Sequence, residues 1–358
     1  MAGHTFRPGA CTHNGGTSAA LRVRVQRRVQ RNSGASAALL HSRSHQSPSV
    51  TALPAFLRIA FSASLIGLNT LIHTPLLFAA TLLKLVLPLA SLRLRLSVLL
   101  TRIAESWVGT NAALMRWFTP TRIEVHGAPQ LDPRASYLVL CNHQSWADIP
   151  VLQAVFNRRI PLLRFFLKQE LIWVPILGLA WWALDFPFMQ RHSRAKLLRN
   201  PALRTQDLEA TRAACAKFAR IPVSIMNFVE GTRFTVEKHA RQAPPFQHLL
   251  RPRAGGVAAV LDAMGDKLQT VLDVTLVYCD PRPTLAMLLA GRLHRIEVHV
   301  TERTVPAELI RGGDYEGDGH YRSHCQRWIN ALWAQKDALI ASRLAVLGAP
   351  ETGSVPPT

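Results

Sequence analysis

The stretch NHQSWAD puts His143 and Asp148 five positions apart. It follows the run SYLVLC, which has the apolar and aromatic content of a strand, and it precedes the apolar helical run DIPVLQAVF. His143 is therefore expected at a strand end, with Asp148 about one helical turn beyond. A carboxylate at that distance can accept a hydrogen bond from one imidazole nitrogen and leave the other basic and outward. That is what a general base working near neutral pH requires. Three other uses of the same residues stand beside this one. Ser145 could serve a serine hydrolase, but a serine two residues from its histidine rarely reaches the free nitrogen. The chain also has no G-x-S-x-G elbow. His143 and Asp148 could be two metal ligands, though no HExxH or similar partner set accompanies them. Or the pair merely caps a helix.

A second constellation, NFVEGTRFT at 227–235, closes the strand-like run VSIMNF. Gly231 lets the backbone turn tightly. Backbone amides, the Thr232 hydroxyl and the Arg233 guanidinium could then converge on an anion, and arginine suits phosphate because it grips in two places. Lys238, His239 and Arg241 follow closely. The plainer alternative is a polar turn in which Glu230 pairs with Arg233.

The elements that must carry these residues read as α/β. TRIEVHG, SYLVLCN, RFFLK, DFPFMQR, VSIMNFVEG, LDVTLVY and RIEVHVTE are strand-like, and helical patterns such as DIPVLQAVF and 207–218 lie between several of them. This alternation implies a sheet layered between helices. A further helix is expected over 320–347. Trp173, Trp181 and Trp182 suit core or membrane-interface packing, or the wall of an acyl-chain pocket.

Ahead of this body the composition changes. The first 104 of 358 residues hold no Asp or Glu, and the whole chain carries 42 basic against 22 acidic residues, a formal charge of +20. Residues 1–50 are expected as a basic extension without fixed structure, with a transit peptide as the sharper reading. Residues 59–83 contain no charge, are flanked by Arg58 and Lys84, and exceed the roughly 20 residues needed to cross a bilayer. Asn69, His73 and Pro75 interrupt them, so two shorter helices in one leaflet are the alternative. The continuation LVLPLASLRLRLSVLLTRI suits an interfacial helix. The division expected is thus 1–50 extension, 51–104 membrane anchor, 105–310 catalytic domain, and 311–358 helix and tail. No zinc-finger spacing or basic–aromatic helix points to nucleic acid. Five scattered cysteines without a CxxC pair argue against a disulfide framework or structural zinc; Cys141 and Cys279 are expected in the core.

Taken together, NHQSWAD, the block GLAWWALDFPFMQR ending at Arg191, FVEGTRF and LDVTLVY resemble the glycerolipid acyltransferases of the PlsC type, the 1-acyl-glycerol-3-phosphate acyltransferase family. The likeness covers about 105–305. Val229 stands where that family usually has Pro and Phe234 where Ser is frequent, and these departures leave the polar residues Glu230, Thr232 and Arg233 in place. The resemblance implies a mixed, mostly parallel sheet between helices, preceded by an N-terminal membrane helix or helical hairpin. It implies acyl transfer from acyl-CoA or acyl carrier protein to the sn-2 hydroxyl of 1-acyl-glycerol 3-phosphate, giving phosphatidic acid, or to a related lysophospholipid or amino-acid lipid. A non-catalytic lipid-binding protein is the alternative from another class. His143 would be the base, Asp148 its partner, and Arg191, Glu230, Gly231, Thr232 and Arg233 the acceptor-binding set. No metal, no cofactor beyond the thioester co-substrate, and no covalent acyl-enzyme is called for. Membrane lipid is the expected surroundings, with the site facing the cytosol.

Overall fold

The computed structural model describes residues 53–348 except 88, 128–129, 187, 190–198, 201–208, 210–212, 214, 216–220, 269, 311–314 and 316. The basic extension, Arg191, and all of 207–218 but Glu209, Ala213 and Cys215 lie outside the described residues.

Two long helices come first, α1 (Ala55–Val86) and α2 (Ala90–Phe118). α1 is one continuous helix through Asn69, His73 and Pro75, which settles against two shorter ones. Its polar side chains are absorbed locally. Asn69 donates to the Trp107 carbonyl (3.0 Å) and the Asn111 side chain (2.8 Å), and His73 bridges the Asn69 carbonyl (3.0 Å) and the Ser106 hydroxyl (3.2 Å). Thr70 and Thr81 donate to carbonyls four residues back, at 2.8 and 2.7 Å. These pairings run antiparallel, so the two helices form a hairpin. Leu68, Leu71, Ile72, Leu76, Leu82 and Val86 of α1 stay exposed. α2 runs past residue 104, where the anchor was expected to end, because its buried face of Leu96, Leu100, Ala104 and Val108 is unbroken there.

The sheet follows: β1 (Arg122–His126), β2 (Tyr137–Cys141), α3 (Asp148–Phe156), β3 (Leu163–Phe165), β4 (Leu167–Lys168), α4 (Leu177–Ala183), β5 (Phe188–Met189), β6 (Ser224–Phe228), α5 (Val236–Gln242), α6 (Gly255–Met264), β7 (Thr270–Tyr278), α7 (Leu285–Leu289), β8 (Arg295–Thr304) and α8 (Gly319–Gly348). Six strands lie in the order β1-β8-β7-β2-β6-β3, and every neighbouring pair is parallel except β7 with β8. The α/β sheet between helices is what the alternating patterns imply, and its mixed, mostly parallel order is what the resemblance implies. RFFLK differs from expectation: it splits, so β3 joins the main sheet while β4 pairs with β5 in a separate two-stranded ribbon.

β2 shows why its run lacks polar alternation. It is covered on both faces. Tyr137, Val139 and Cys141 enter one apolar layer with α3, and Leu138 and Leu140 enter the other with α6 and α8. Leu77 and Ala80 of α1 and Leu100 and Ala104 of α2 belong to the first layer, so the hairpin shares the core of the sheet. On the opposite face β7 presents Asp273 and Thr275. Lys336 of α8, itself buried, makes an ion pair with Asp273 and donates to the Val274 carbonyl at 2.6 Å. Arg303 grips the other Asp273 oxygen at 2.8 Å.

Candidate active site

β2, β6 and β7 run parallel and end on the same edge of the sheet, the edge at which open α/β sheets present their ligand crevices. NHQSWAD leaves β2, EGTR leaves β6, and Tyr278 is the last residue of β7. Asn142 fixes the departure from β2: its side chain donates to the Leu276 carbonyl (3.0 Å) and accepts from the Leu276 amide (2.9 Å). The chain then folds over Asp148, the first residue of α3.

Asp148 has no exposed surface, and all its bonds are internal. Its Oδ2 accepts from His143 Nδ1 at 2.8 Å and from the amides of Gln144 (2.7 Å) and Ser145 (3.0 Å). Its Oδ1 accepts from the Tyr278 hydroxyl at 2.7 Å. A carboxylate only accepts, so Nδ1 carries the proton and Nε2 holds the lone pair. Among the described residues no protein group bonds Nε2. The ring lies flat on Phe228, with centroids 3.8 Å apart and 13° between planes. Ser145 is buried and its hydroxyl accepts from the Ala147 amide at 3.1 Å, so it shapes the loop. One carboxylate thus orients His143 and gathers two amides of its loop, and it caps no helix.

The EGTR turn is fastened to the same loop, since the Phe234 amide donates to the His143 carbonyl at 2.8 Å. Gly231 turns the chain at φ 69°, a conformation costly for any residue with a Cβ. Thr235 caps α5, and Lys238 of that helix reaches back to the Thr232 hydroxyl (2.7 Å) and the Arg233 carbonyl (2.9 Å). The Arg233 guanidinium lies 4.3 Å from the ring of Trp146, which anchors its plane beside the His143 loop.

Glu230 departs from expectation. It neither pairs with Arg233 nor faces the crevice; it points inward and has no exposed surface. Burial pushes its carboxyl up to about 8. The Trp333 indole of α8 and the amides of His143 and Leu250 are the donors nearest to it and draw it part of the way back, but none meets hydrogen-bond geometry. Among the described residues no cation pairs with it, since the buried Lys336 is taken by Asp273, and a neutral acid fits such a place.

Arg191 lies outside the described residues, so four of the five acceptor-binding candidates, Glu230, Gly231, Thr232 and Arg233, are gathered by one turn. Trp181 packs on the core, whereas Trp182 is exposed and Trp173 is 84% exposed. Cys141 is buried as expected; Cys279 is exposed, because it follows the last residue of β7 and leaves the sheet. Sequence reading missed Tyr278, Trp333 and Lys336. Only Tyr278 had a local signal, as the polar end of the apolar block LDVTLVY.

Among the described residues one other group, His126, Glu297 and His299, brings three possible metal donors within 4.8 Å of one another. The two rings are stacked, 4.5 Å apart and 15° from parallel, so their in-plane lone pairs run side by side instead of converging. Glu297 is already forked by Arg343 at 2.7 and 2.9 Å, and Arg343 holds its carboxyl down to about 2. The cluster fastens α8 to the sheet.

The Acyltransferase family model matches residues 122–278, from the first residue of β1 to the last of β7. Curated relatives include 1-acyl-sn-glycerol-3-phosphate acyltransferase delta of Rattus norvegicus, 25% identical over 265 residues that cover 68% of this chain and 63% of the relative. The Homo sapiens protein of the same name is 27% identical over the same shares. The gamma form of Mus musculus is 25% identical over 48% of this chain and 43% of its own. The chain therefore spans just under two thirds of the length of the delta relatives. Among solved structures, that of PlsC, the 1-acyl-sn-glycerophosphate (LPA) acyltransferase of Thermotoga maritima, superposes with a TM-score of 0.45 and 13% identity over 78% of this chain and 98% of that one. The stretch similar to the Acyltransferase family, residues 122–278, carries NHQSWAD, EGTR and all the strands between them.

Proposed function

We propose that this chain transfers a fatty acyl group from acyl-CoA or acyl carrier protein to the sn-2 hydroxyl of 1-acyl-glycerol 3-phosphate, giving phosphatidic acid. One observation carries the reading. A histidine oriented by a buried carboxylate, with its second nitrogen unbonded among the described residues, sits on a loop bonded to an arginine-bearing turn. The names of the curated relatives support the acceptor. His143 Nε2 takes the hydroxyl proton as the oxygen attacks the thioester carbonyl. Asp148 holds the imidazolium. The imidazolium then returns the proton to the departing thiolate, so ester and free thiol are the products. The thioester is already activated, so the scheme asks for no nucleophilic side chain, metal or prosthetic group. Thr232, Arg233 and Arg191 serve the acceptor phosphate.

The site works at a membrane, and the helix hairpin lies in one leaflet. Two ties support that reading. The Ser62 hydroxyl near the start of α1 donates to the Leu289 carbonyl of α7 at 3.1 Å, and Lys84 near its end pairs with Asp185 at 3.2 Å. These residues stand about 33 Å apart along the helix. A helix held to one domain at both ends cannot deliver those ends to opposite sides of a bilayer. Its exposed leucines and the exposed Trp117, Trp173 and Trp182 then meet lipid, with the site open to cytosolic thioesters.

The test is purified full-length protein in lipid nanodiscs with labelled acyl-CoA and a panel of lysolipids, read by lipid mass spectrometry. Acyl transfer to 1-acyl-glycerol 3-phosphate is expected, and His143→Ala abolishes it while thermal unfolding and liposome binding stay as in wild type. Wild-type turnover in His143→Ala sinks the mechanism. Release of free fatty acid without acceptor indicates a hydrolase instead.

A further inference from the structure

The two oxygens of Asp148 are not equivalent. Oδ2 serves His143 and two amides of the loop, all within reach of one oxygen. Oδ1 is met by a single group, the Tyr278 hydroxyl, from a strand 130 residues away in sequence. Tyr278 is buried in the apolar layer with Val274 and Leu276. A phenylalanine would fill the same volume, and a hydroxyl brought into such a layer costs stability unless it is bonded. The hydroxyl therefore has a purpose beyond packing. Its place is rigid, too. β7 extends past the end of β2 and is braced there by β8, with Tyr278 opposite Ile296.

We propose that Tyr278 is a positioning residue for His143, acting through Asp148: its hydroxyl fixes the rotation of the carboxylate and limits how strongly that carboxylate draws the imidazole proton. The inference rests on the acyltransfer reading above. With the hydroxyl in place, Asp148 keeps Oδ2 in line with Nδ1 and shares its charge between two strong donors. Without it, the carboxylate turns more freely and concentrates its charge on the imidazole. The imidazolium is then better stabilised, and His143 holds its second proton to higher pH.

The groups facing this cluster do not blur the prediction. Cys141 of β2 is held neutral by burial, which pushes its thiol well above the ordinary range. Burial does the same for the phenol of Tyr278, so it stays a donor. Glu230 after β6, at about 8, titrates on the alkaline side. Lys336 of α8 and Asp273 of β7 offset one another as an ion pair. Phe228, stacked on the ring, does not titrate.

The experiment compares pH–rate profiles of the full-length protein in nanodiscs for wild type, Tyr278→Phe, and protein carrying 3-fluorotyrosine at 278, whose phenol is the stronger donor. In Tyr278→Phe the acid limb of the kcat profile moves up by roughly half a pH unit or more. Plateau kcat falls by about tenfold, the scale of one lost hydrogen bond to a charged group, with KM for the acceptor unchanged. In the fluorotyrosine protein the limb moves down. Acid limbs at the wild-type position in both proteins, or a change confined to KM, overturn the role of Tyr278. If Tyr278→Phe does not fold, the fluorotyrosine profile decides alone. Activity that survives in His143→Ala overturns the underlying acyltransfer reading instead, and so separates the two failures.

Discussion

Replacing Glu230 by glutamine should make the protein more stable by an amount that grows with pH. In the fold the carboxyl has no exposed surface and is raised from 4.5 to about 8 by burial. Between those values the folded state holds a proton that the unfolded state has released. Unfolding therefore becomes easier as pH rises through that window. At about 1.4 kcal/mol per unit, the penalty grows by roughly 3 kcal/mol between pH 5 and pH 7.5. Glutamine has the shape of the neutral acid and no proton to lose, so it escapes the penalty. For a chain of this size, about 2 °C per kcal/mol converts the difference to about 6 °C. The assay is thermal unfolding of both proteins in detergent across pH 5 to 8.5. The variant's advantage should be least at pH 5 and level off above pH 8. A difference in Tm that is flat with pH, or wild type gaining on the variant as pH rises, would show Glu230 ionised and paired in the fold and would refute the burial argument.

Other outcomes follow from the same geometry. Arg233→Ala should raise KM for the phosphorylated acceptor by about tenfold or more, the scale of a lost charge-assisted contact; an unchanged preference for phosphorylated over dephosphorylated acceptors counts against a phosphate role. Asp273→Asn strands Lys336 inside the protein and should cost about 3–5 kcal/mol in unfolding, whereas a loss under 1 kcal/mol means the lysine finds another partner. Single cysteines placed at the exposed ends of α1, Phe56 and Val86, in a cysteine-free background should react with a membrane-impermeant reagent from the same side of sealed vesicles; labelling from opposite sides excludes the one-leaflet hairpin.

Much of the fold is written locally. NHQSWAD is legible because its two chemical residues are neighbours in sequence and sit between a strand-like and a helix-like run. EGTR is legible because a glycine and an arginine close another strand. The central strands are covered on both faces, so their apolar runs stand out. What escaped depends on residues far apart. RFFLK looks like one strand, yet its two halves belong to different sheets, a choice made by β5 and β6. Lys336 sits in QKDALIASR and looks like a solvated helical lysine; only the carbonyls of β2 and β7 and the charge of Asp273 explain its burial. Glu230 beside Arg233 invites an ion pair, but the turn at Gly231 sends the two side chains apart. Tyr278 ends an apolar block, and nothing near it in sequence tells that its hydroxyl meets Asp148.

α8 lies beyond the matched family stretch, yet it supplies Trp333 behind Glu230 and Lys336 beneath the end of β2 and the middle of β7. This sets an order of events during synthesis. The hairpin leaves the ribosome ahead of the sheet and, under the proposed function, can settle on lipid while the sheet is still being made. Asp273 is translated some sixty residues before the lysine that neutralises it. Until α8 arrives, Asp273 lacks its lysine and Glu230 its indole neighbour, so under the proposed function the nascent protein can reach lipid before it is competent to act there.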